Sequence, residues 1–535
     1  MQGRTLLRRH AGQQRRAVRR RSSLILTILL GAMGYQEDGI AATPTSAGKP
    51  AEWRIIKRRV EDLNQQWLEL RQDLIGDTSQ TITLEQAIQL GVRNNPVLSN
   101  SFAQLESAKW SGAAIRREWN PSLVIDNPSP NAIGYTIDNK QTTTTKRGNQ
   151  SQTVENKNQY ALTPRLQASW TFFDPTRAPR SKANDSEIQF RRYIFDASAR
   201  NVILEIQRAY FDLQTDIRLL QRYEDIYHNT QKTIKSAVTQ LQQGSCAQKE
   251  INQLRAQQFK QLTQIIQQNE QASKSAYELA YALNLEPGRL LFPSDQLQSE
   301  GNWPLGLKQS ITEALQSREE IQGLLASATR QKWLARSLLN KYFPLASAIA
   351  QSFYESDNFS KEQTNTSPAE AGTIQGFRNQ IGLNLRWRFY DGGIDMAKAN
   401  SSKEEEVGFQ QKAQLERLSV TQQVQKSYST YRTSLLEQLS TEQGVQEASD
   451  TFQANSRSYQ CKPGETTTLV QNIQSLLSSI LSNYQSIKRH NIAISSLYRY
   501  TSTWPTGTES LINTNNYPLP SYSSSGQLDQ SRATP

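Results

Sequence analysis

The sequence contains very few of the residues that build metal centres. Among 535 residues there are only two cysteines and three histidines. His10 lies in an arginine-rich N-terminal segment, and His228 and His490 stand alone along the chain, as do Cys246 and Cys461. A zinc site needs about four clustered nitrogen, sulfur or carboxylate ligands. No metal site and no cofactor are therefore predicted.

Long apolar segments are also missing. The mean hydropathy is −0.67, and beyond the N-terminus no stretch of 18 apolar residues occurs. A transmembrane helix in the mature chain is therefore not expected. A transmembrane β-barrel is compatible with this composition, because barrel strands alternate apolar and polar residues and raise the mean hydropathy very little.

Much of the positive charge belongs to the first 42 residues. The chain has a formal net charge of +12, and residues 1–42 hold eight arginines and two acids, a net charge of +6. This basic start, the apolar segment from Leu24 to Met33 and the small residues Ala41 and Ala42 are typical of an export signal peptide. The remainder shows no dense basic face, so a nucleic-acid partner is not predicted.

The most informative feature that is present is an internal two-fold repeat. The sequence LQASWTFFD surrounds Trp170, and LNLRWRFYD surrounds Trp387, 217 residues later. Each copy is followed by a long polar segment with helical periodicity, a break containing glycine and cysteine, and a second helical segment. The predicted organisation is a signal peptide (1–42), an N-terminal extension with an amphipathic helix (43–80), a first repeat (81–288), a linker (289–306), a second repeat (307–504) and a disordered tail (505–535).

Both copies of the repeat contain strands with one apolar side and one polar side. Residues 160–173 and 380–390 alternate with the period of two that a lipid-facing strand requires, and aromatic residues gather at one end, as at a membrane interface. A half-buried strand of a soluble sheet would alternate in the same way. The residues predicted to face lipid are Leu166, Trp170, Phe172, Leu383, Leu385, Trp387 and Phe389.

Three arginines, Arg165, Arg386 and Arg388, fall on the opposite side and are expected in the lumen. They could give a mild preference for anions, or they could be solvated side chains paired with acids such as Asp126. Residues 126–158 and 355–378 are rich in polar side chains, and we expect them to form exposed loops.

Long helices are predicted after each strand pair. Asp174 is the expected N-cap and Pro175 the first residue of a helix that reaches about Gln243, a length of roughly 100 Å. The other predicted helices span about 84–94, 97–118, 248–285, 308–318, 320–341, 394–459 and 466–502.

These features together resemble the outer-membrane factor family, of which TolC is the familiar member. The resemblance covers residues 80–504 and rests on the order of several motifs, which occurs twice. The motifs are Thr83-Leu84-Glu85-Gln86-Ala87 with Asn94-Asn95-Pro96, the prolines Pro121 and Pro344, the strand ends Phe172-Phe173-Asp174 and Phe389-Tyr390-Asp391-Gly392-Gly393, and the glycines Gly244 and Gly464.

The resemblance implies an α+β membrane protein that forms a homotrimer. Each protomer would give four strands to one 12-stranded β-barrel in outer-membrane lipid, continuous with a long periplasmic α-helical barrel. The implied location is the outer membrane of a Gram-negative-type cell. The implied function is the exit duct of a tripartite efflux or type I secretion system, with a periplasmic adaptor and an inner-membrane transporter as partners.

The turns at 242–251 and 459–469 would be the periplasmic tips that contact the adaptor. The candidate contact residues are Gly244, Ser245, Gly464, Glu465, Thr467 and Thr468. Many family members have an Asp shortly after the tip glycine, whereas this chain has Asn252 and Gln471. Cys246 and Cys461 occupy equivalent breaks of the two repeats. In an oxidising compartment they could pair and lock the tips, or they could be two free, partly buried thiols.

Two functions of different classes remain at this point. The first is the exit duct. The second is a periplasmic coiled-coil adaptor or scaffold protein, which would explain the helices and the signal peptide but not the strand pairs. We do not expect an enzyme, because the sequence has no nucleophile–base motif, no phosphate-binding loop and no metal-ligand spacing.

Overall fold

The computed structural model describes residues 80–126, 135–146, 149–160, 164–364, 370–459 and 465–505, with Asp62, Gln65, Gln66 and Glu69. The chain divides into two units, residues 1–69 and 70–535. In the first unit the four described residues are helical and exposed. The predicted signal peptide, most of the extension and nearly all of the predicted tail lie outside the described residues.

The first half of the second unit contains four helices and several strands. In chain order they are β1 (Thr81–Ile82), α1 (Leu84–Asn94), α2 (Pro96–Arg117), β2 (Ser122–Asp126), β3 (Tyr135–Lys146), β4 (Asn149–Tyr160), β5 (Arg165–Phe173), α3 (Arg177–Gln242) and α4 (Gln248–Ala282).

A linker and the second half follow. Their elements are β6 (Phe292–Pro293), α5 (Leu307–Ser317), α6 (Glu319–Leu339), β7 (Leu345–Thr364), β8 (Glu370–Arg386), α7 (Ile394–Ser458) and α8 (Glu465–Tyr500). The predicted helices therefore agree with the observed ones to within a few residues.

Local sequence explains how the first helices begin and end. Thr83 is the N-cap of α1, and Thr83 and Gln86 form the predicted capping box. Asn95 ends α1 and also caps α2, because its side-chain oxygen accepts the backbone N–H groups of Val97 and Leu98. Pro96 fits at the first position of α2, where no intrahelical donor is needed.

Two very long helices, α3 with 66 residues and α7 with 65, run through the structure. At 1.5 Å per residue each is about 100 Å long. On α3 an apolar seam is buried, including Ile206, Tyr210, Leu213 and Leu220. Helix α3 packs against α1, α2, α4, α6 and α8, whereas α7 packs against α5, α6 and α8. The core therefore follows the seams between helices.

Six of the described strands form one antiparallel sheet. Four strands lie side by side in the order β2–β5–β7–β8. At its far end β7 also pairs with β4, from Asn358 opposite Asn158 to Thr364 opposite Gln152, and β4 pairs with β3. This four-stranded section leads directly into the long helices, because β5 precedes α3 and β8 precedes α7.

The prediction of exposed loops was wrong for most of the residues concerned. Strands β3 and β4 occupy much of residues 126–158, and β7 and β8 extend through much of 355–378. Pairing satisfies the backbone hydrogen-bonding groups along these segments even though no apolar face identifies them. The β-branched threonines of β3 favour a strand.

Two predicted boundaries also need correction. Helix α3 begins at Arg177, so Asp174 is not its N-cap and Pro175 is not its first residue. Instead, the Asp174 carboxylate accepts the Thr176 backbone N–H at 2.9 Å and the Thr176 hydroxyl at 2.7 Å, which stabilises a turn before the helix. The strand predicted over 380–390 ends at Arg386.

The linker is attached to the first half by a small parallel sheet that sequence analysis did not predict. Thr81 and Ile82 pair with Phe292 and Pro293. The buried Tyr210 hydroxyl donates to the Asp295 carboxylate at 2.7 Å, and the same carboxylate accepts the Leu84 backbone N–H at 2.9 Å. One carboxylate therefore connects the linker to α3 and to the start of α1.

Buried charges connect α3, α6 and α8 where the long helices cross the linker region. Arg200 donates to Glu319 at 2.5 Å, and Arg499 pairs with Glu320. Arg318 lies 2.8 Å from Glu320. Burial opposes ionisation of Glu320, but Arg499 and Arg318 outweigh that effect and lower its pKa. The network thus keeps Glu320 charged and joins three helices from distant parts of the sequence.

One acid beside this network is expected to make stability depend on pH. Burial raises the pKa of Asp196 to about 6, although Arg192 and Arg200 lie nearby. Below about pH 4 the carboxyl is protonated in both the folded and unfolded states, so its burial does not lower the free energy of unfolding. As the pH rises from about 4 to about 6, stability is lost, because the unfolded chain releases this proton while the folded chain disfavours the charged form. At pH 7 the loss should reach about 3 kcal/mol, from roughly 1.4 kcal/mol per pKa unit.

We therefore expect Asp196→Asn to raise the unfolding temperature of the purified protein at pH 7.5, but not at pH 4. The control is Asp185→Asn, which changes a more exposed carboxylate on the same helix. If Asp196→Asn changes the unfolding temperature equally at pH 7.5 and at pH 4, the raised pKa of Asp196 is contradicted.

Candidate functional site

The strand registers place apolar and polar side chains on opposite faces of the four-stranded sheet. Directly paired residues share a face. One row contains Leu123, Ala168, Ala350 and Ile381, and the next contains Trp170, Ala348 and Leu383. On the other face, one row contains Val124, Gln167, Gln351 and Gln380, and the next contains Asp126, Arg165, Phe353 and Arg378.

The apolar face is exposed to an unusual degree. Ile381 is 91% exposed and Leu383 is 81% exposed. All seven residues predicted to face lipid are exposed, and their exposed fractions range from 38% for Phe172 to 81% for Leu383. Trp387 and Phe389 follow the end of β8 and do not lie within it. No other described element covers this continuous apolar surface, which is the usual mark of an interaction site.

The polar face holds one well-formed ion pair. The Arg165 guanidinium donates to the two Asp126 carboxylate oxygens at 2.8 and 2.7 Å, across neighbouring strands β5 and β2. The pairing of Arg165 with Asp126 that sequence analysis considered is therefore present. Arg386 is the last residue of β8. Arg388 lies beyond the strand, 3.7 Å from Asp395 of α7, so its predicted position inside the strand was wrong.

At the opposite end of the long helices, the described part of the first turn is small and exposed. Gly244 has φ +73°, a conformation that favours glycine, and an added Cβ would meet nothing within 4 Å. Gly244 and Ser245 are exposed, and so are Glu465, Thr467 and Thr468 at the start of α8. Gly464 lies outside the described residues.

The two turns lie close to each other. The Tyr459 hydroxyl and the buried Thr466 hydroxyl lie 2.8 Å apart. Burial raises the pKa of Tyr459, and the nearby carboxylates of Glu250 and Glu465 add to the rise. Glu250 belongs to α4 and Glu465 to α8, so the starts of both returning helices meet around Tyr459. Slightly farther along, the Gln474 amide donates to Gln257 at 3.1 Å.

The first cysteine lies in this region. Cys246 is buried, with 8% of its surface exposed, and is disulfide-bonded. Cys461 lies outside the described residues, so its pairing with Cys246 stays a prediction.

Sequence analysis missed a cluster of cations at mid-length of the helices. Arg208 of α3, Lys426 of α7, and Lys488 and Arg489 of α8 line one groove of about 450 Å³. They come from three segments that are far apart in the sequence, and each is an ordinary surface residue of its own helix. Only the packing of α3 against α8, and of α8 against α7, brings them together.

Among the described residues, no group of three or more His, Cys, Asp or Glu side chains could hold a metal ion. In the same part of the chain, no helix combines the length and the apolar character needed to cross a membrane.

Comparisons with known proteins give the fold a context. No protein-family model matches the chain, and no curated protein matches it. Solved structures do match. The outer-membrane channel OprN is 14% identical over 88% of this chain and 98% of its own, with a TM-score of 0.60.

Two further channels have similar values. The Campylobacter jejuni CmeC outer-membrane channel is 12% identical over 88% of this chain and 93% of its own, with a TM-score of 0.60. The open state of the Neisseria gonorrhoeae MtrE outer-membrane channel is 13% identical over 78% of this chain and 89% of its own, with a TM-score of 0.57.

The chain therefore has the fold of outer-membrane factor channels, and the predicted resemblance to that family is confirmed at the level of fold. All three of these similar structures are outer-membrane channels.

Proposed function

We propose that this protein is an outer-membrane exit duct of a tripartite efflux or type I secretion system. It would pass substrates from an inner-membrane pump through the periplasm to the outside. The observation that carries the proposal is the exposed apolar face of the β2–β5–β7–β8 sheet, which continues directly into two helices of about 100 Å. The likeness to outer-membrane channels supports the same function.

The open edges of the sheet support the proposed assembly as a homotrimer. In the four-strand section, β2 and β8 each have one neighbour among the described strands. Unpaired strand edges are not tolerated in lipid, and four strands are too few to close around a channel. Three chains would supply 12 strands and one closed barrel. The apolar face would then contact lipid, and the Arg165–Asp126 pair and Arg386 would face the lumen.

The helices also need neighbours. Exposed leucines follow one another along α7, including Leu415, Leu418, Leu436 and Leu439, whose exposed fractions lie between 63% and 71%. Leaving such side chains in water forfeits about 1.5–3 kcal/mol each relative to full burial. Adjacent protomers in a helical tube would cover this stripe.

The periplasmic tip is the proposed docking site for an adaptor protein. Its candidate residues are Gly244, Ser245, Glu465, Thr467 and Thr468, with Gly464. In this proposal a disulfide between Cys246 and Cys461 limits how far the two adjacent turns can separate.

A periplasmic coiled-coil adaptor or scaffold is the alternative. It would use the long helices, but it would leave the apolar face of the sheet in water without a partner. That cost favours the duct.

Negative-stain electron microscopy of the detergent-purified mature protein tests the proposal. We expect a three-fold, needle-shaped particle well over 100 Å long, because the helices alone require about 100 Å. A detergent belt should surround one end. A monomeric particle without such a belt would contradict the duct and favour the scaffold.

Leu383→Arg is expected to reduce insertion of the protein into the outer membrane. A cation on the lipid face of a barrel costs about 2–4 kcal/mol near the bilayer midplane. The matched control is Asn384→Arg on the same strand, whose side chain points to the polar face. Fractionation of cells should show loss of the Leu383 variant, but not the Asn384 variant, from the outer membrane. Equal recovery of both would argue against a lipid-facing sheet.

Thiol titration under denaturing, non-reducing conditions should find no free thiol per chain. The reason is that an exported chain meets an oxidising compartment and Cys246 is disulfide-bonded. Non-reducing electrophoresis should show monomeric chains, as an internal bond requires. Two free thiols per chain, or crosslinked dimers, would overturn the internal lock.

The lock also predicts a response to reduction. Planar-bilayer conductance should rise after addition of a reductant, whereas the doubly substituted Cys246→Ser, Cys461→Ser protein should show the higher conductance from the start. An unchanged conductance after reduction would mean that the bond does not limit opening.

A further inference from the structure

The cation-lined groove between α3, α7 and α8 has no role in the fold that would require its charge. Arg208, Lys426 and Arg489 are exposed and Lys488 is half-buried. Structural cations elsewhere in this protein behave differently. Arg318 and Arg499, for example, are buried and are matched by carboxylates.

Only half of the positive charge in the groove is neutralised. Lys488 lies 2.9 Å from Asp212, and Arg489 lies 2.6 Å from Glu437. Among the described residues, neither Arg208 nor Lys426 has a carboxylate oxygen within 4.0 Å. Two cations thus face the same groove without a counter-charge, which produces a positive local potential.

Arg208 has some acidic groups in its wider surroundings. It also borders a second groove, between α3 and α4, where Glu205 and Glu278 lie. Its guanidinium does not turn to these acids. Instead it donates a hydrogen bond to the Ser496 hydroxyl at 3.2 Å, and Ser496 lines the first groove. That contact holds the charge of Arg208 toward α8.

The other lining residues fit an organic ligand better than a simple ion. Ile492 and Ala493 provide an apolar floor, and Ser427, Thr430 and Tyr500 provide hydroxyl groups. A volume of about 450 Å³ falls within the range of roughly 300–1,000 Å³ that is typical of small-molecule sites.

The groove also lies on a defined side of α8. The opposite side of this helix is covered by the linker, because the His490 ring nitrogen contacts the Gly301 carbonyl at 2.9 Å. The Asn491 amide donates to the Gln298 carbonyl at 2.8 Å. The groove residues Arg489, Ile492 and Ser496 lie on the side of α8 that is opposite to His490 and Asn491. The groove therefore opens on the side of the helix layer that faces away from the linker.

We propose that this groove binds organic anions, molecules with a carboxylate, sulfonate or phosphate group on an apolar body. The inference rests on the proposed duct and names a substrate class for it. In a trimeric tube with the linkers outside, three grooves form a cationic band in the lumen. Such a band attracts anionic cargo and raises its local concentration during passage.

Binding of pyrene-1,3,6,8-tetrasulfonate to the detergent-purified full chain, followed by fluorescence anisotropy, tests the proposal. The groove variant carries Arg208→Gln and Lys426→Gln, the two cations without counter-charge. The control variant carries Lys260→Gln and Arg432→Gln, which remove the same charge from exposed positions outside the groove. Lys426→Gln alone serves as a second, milder groove variant.

We expect the groove variant to bind the dye about tenfold more weakly, and the control variant to bind it as the unsubstituted protein does. Affinity should also fall as salt concentration rises, because exposed charges are screened. Equal affinity in the groove and control variants, or no binding by the unsubstituted protein, would overturn the proposal.

The reversal potential across a planar bilayer with a salt gradient distinguishes a failure of the groove proposal from a failure of the duct proposal. The unsubstituted pore should prefer anions, and the groove variant should shift toward cations relative to the control variant. A three-fold particle that conducts but shows neither the shift nor dye binding would leave the duct in place and remove the groove. A protein that forms no pore and no trimer would instead contradict the duct itself.

Discussion

Every part of the described structure depends on the fact that a long helix cannot bury its own apolar stripe. Helix α3 buries Ile206, Tyr210, Leu213 and Leu220 only because α1, α2, α4, α6 and α8 pack around it. Each of these helices takes a different section of the same seam. The strand β5, which leads into α3, is positioned by that packing. Sheet, linker and hairpins are thus arranged around one helix, and the rest of the structure follows its axis.

Polar contacts then determine how the layers are aligned along that axis. Hydrophobic seams are nearly continuous and allow helices to slide past each other, whereas buried ion pairs tolerate only one register. Arg200 with Glu319 and Arg499 with Glu320 fix α3, α6 and α8 at one level. Asp295 fixes the linker against Tyr210 and α1. With the register set, the exposed apolar face lies at one end and the two turns meet at the other.

Function in this architecture resides in surfaces that the fold leaves open. Ile381 and Leu383 stay exposed because no helix among the described residues covers the sheet. The edges of β2 and β8 stay available, and the cations of the central groove lack enough acids to neutralise them. In the proposed duct, partners outside the single chain would meet these requirements: lipid, further protomers and passing solutes.

The sequence by itself determined the helices, because periodicity, Thr83, Asn95-Pro96 and Gly244 are local signals that later contacts do not reverse. It also determined the alternation around Trp170 and Trp387, because the period of a strand is fixed by its backbone. Only the tertiary structure decided that the polar segments from 135 to 160 are strands, since their stability comes from pairing with each other and with β7 and not from an apolar face. It alone brought Arg208, Lys426 and Lys488 into one groove, because helix packing places Arg208 beside two residues that are more than 200 positions away from it in the sequence.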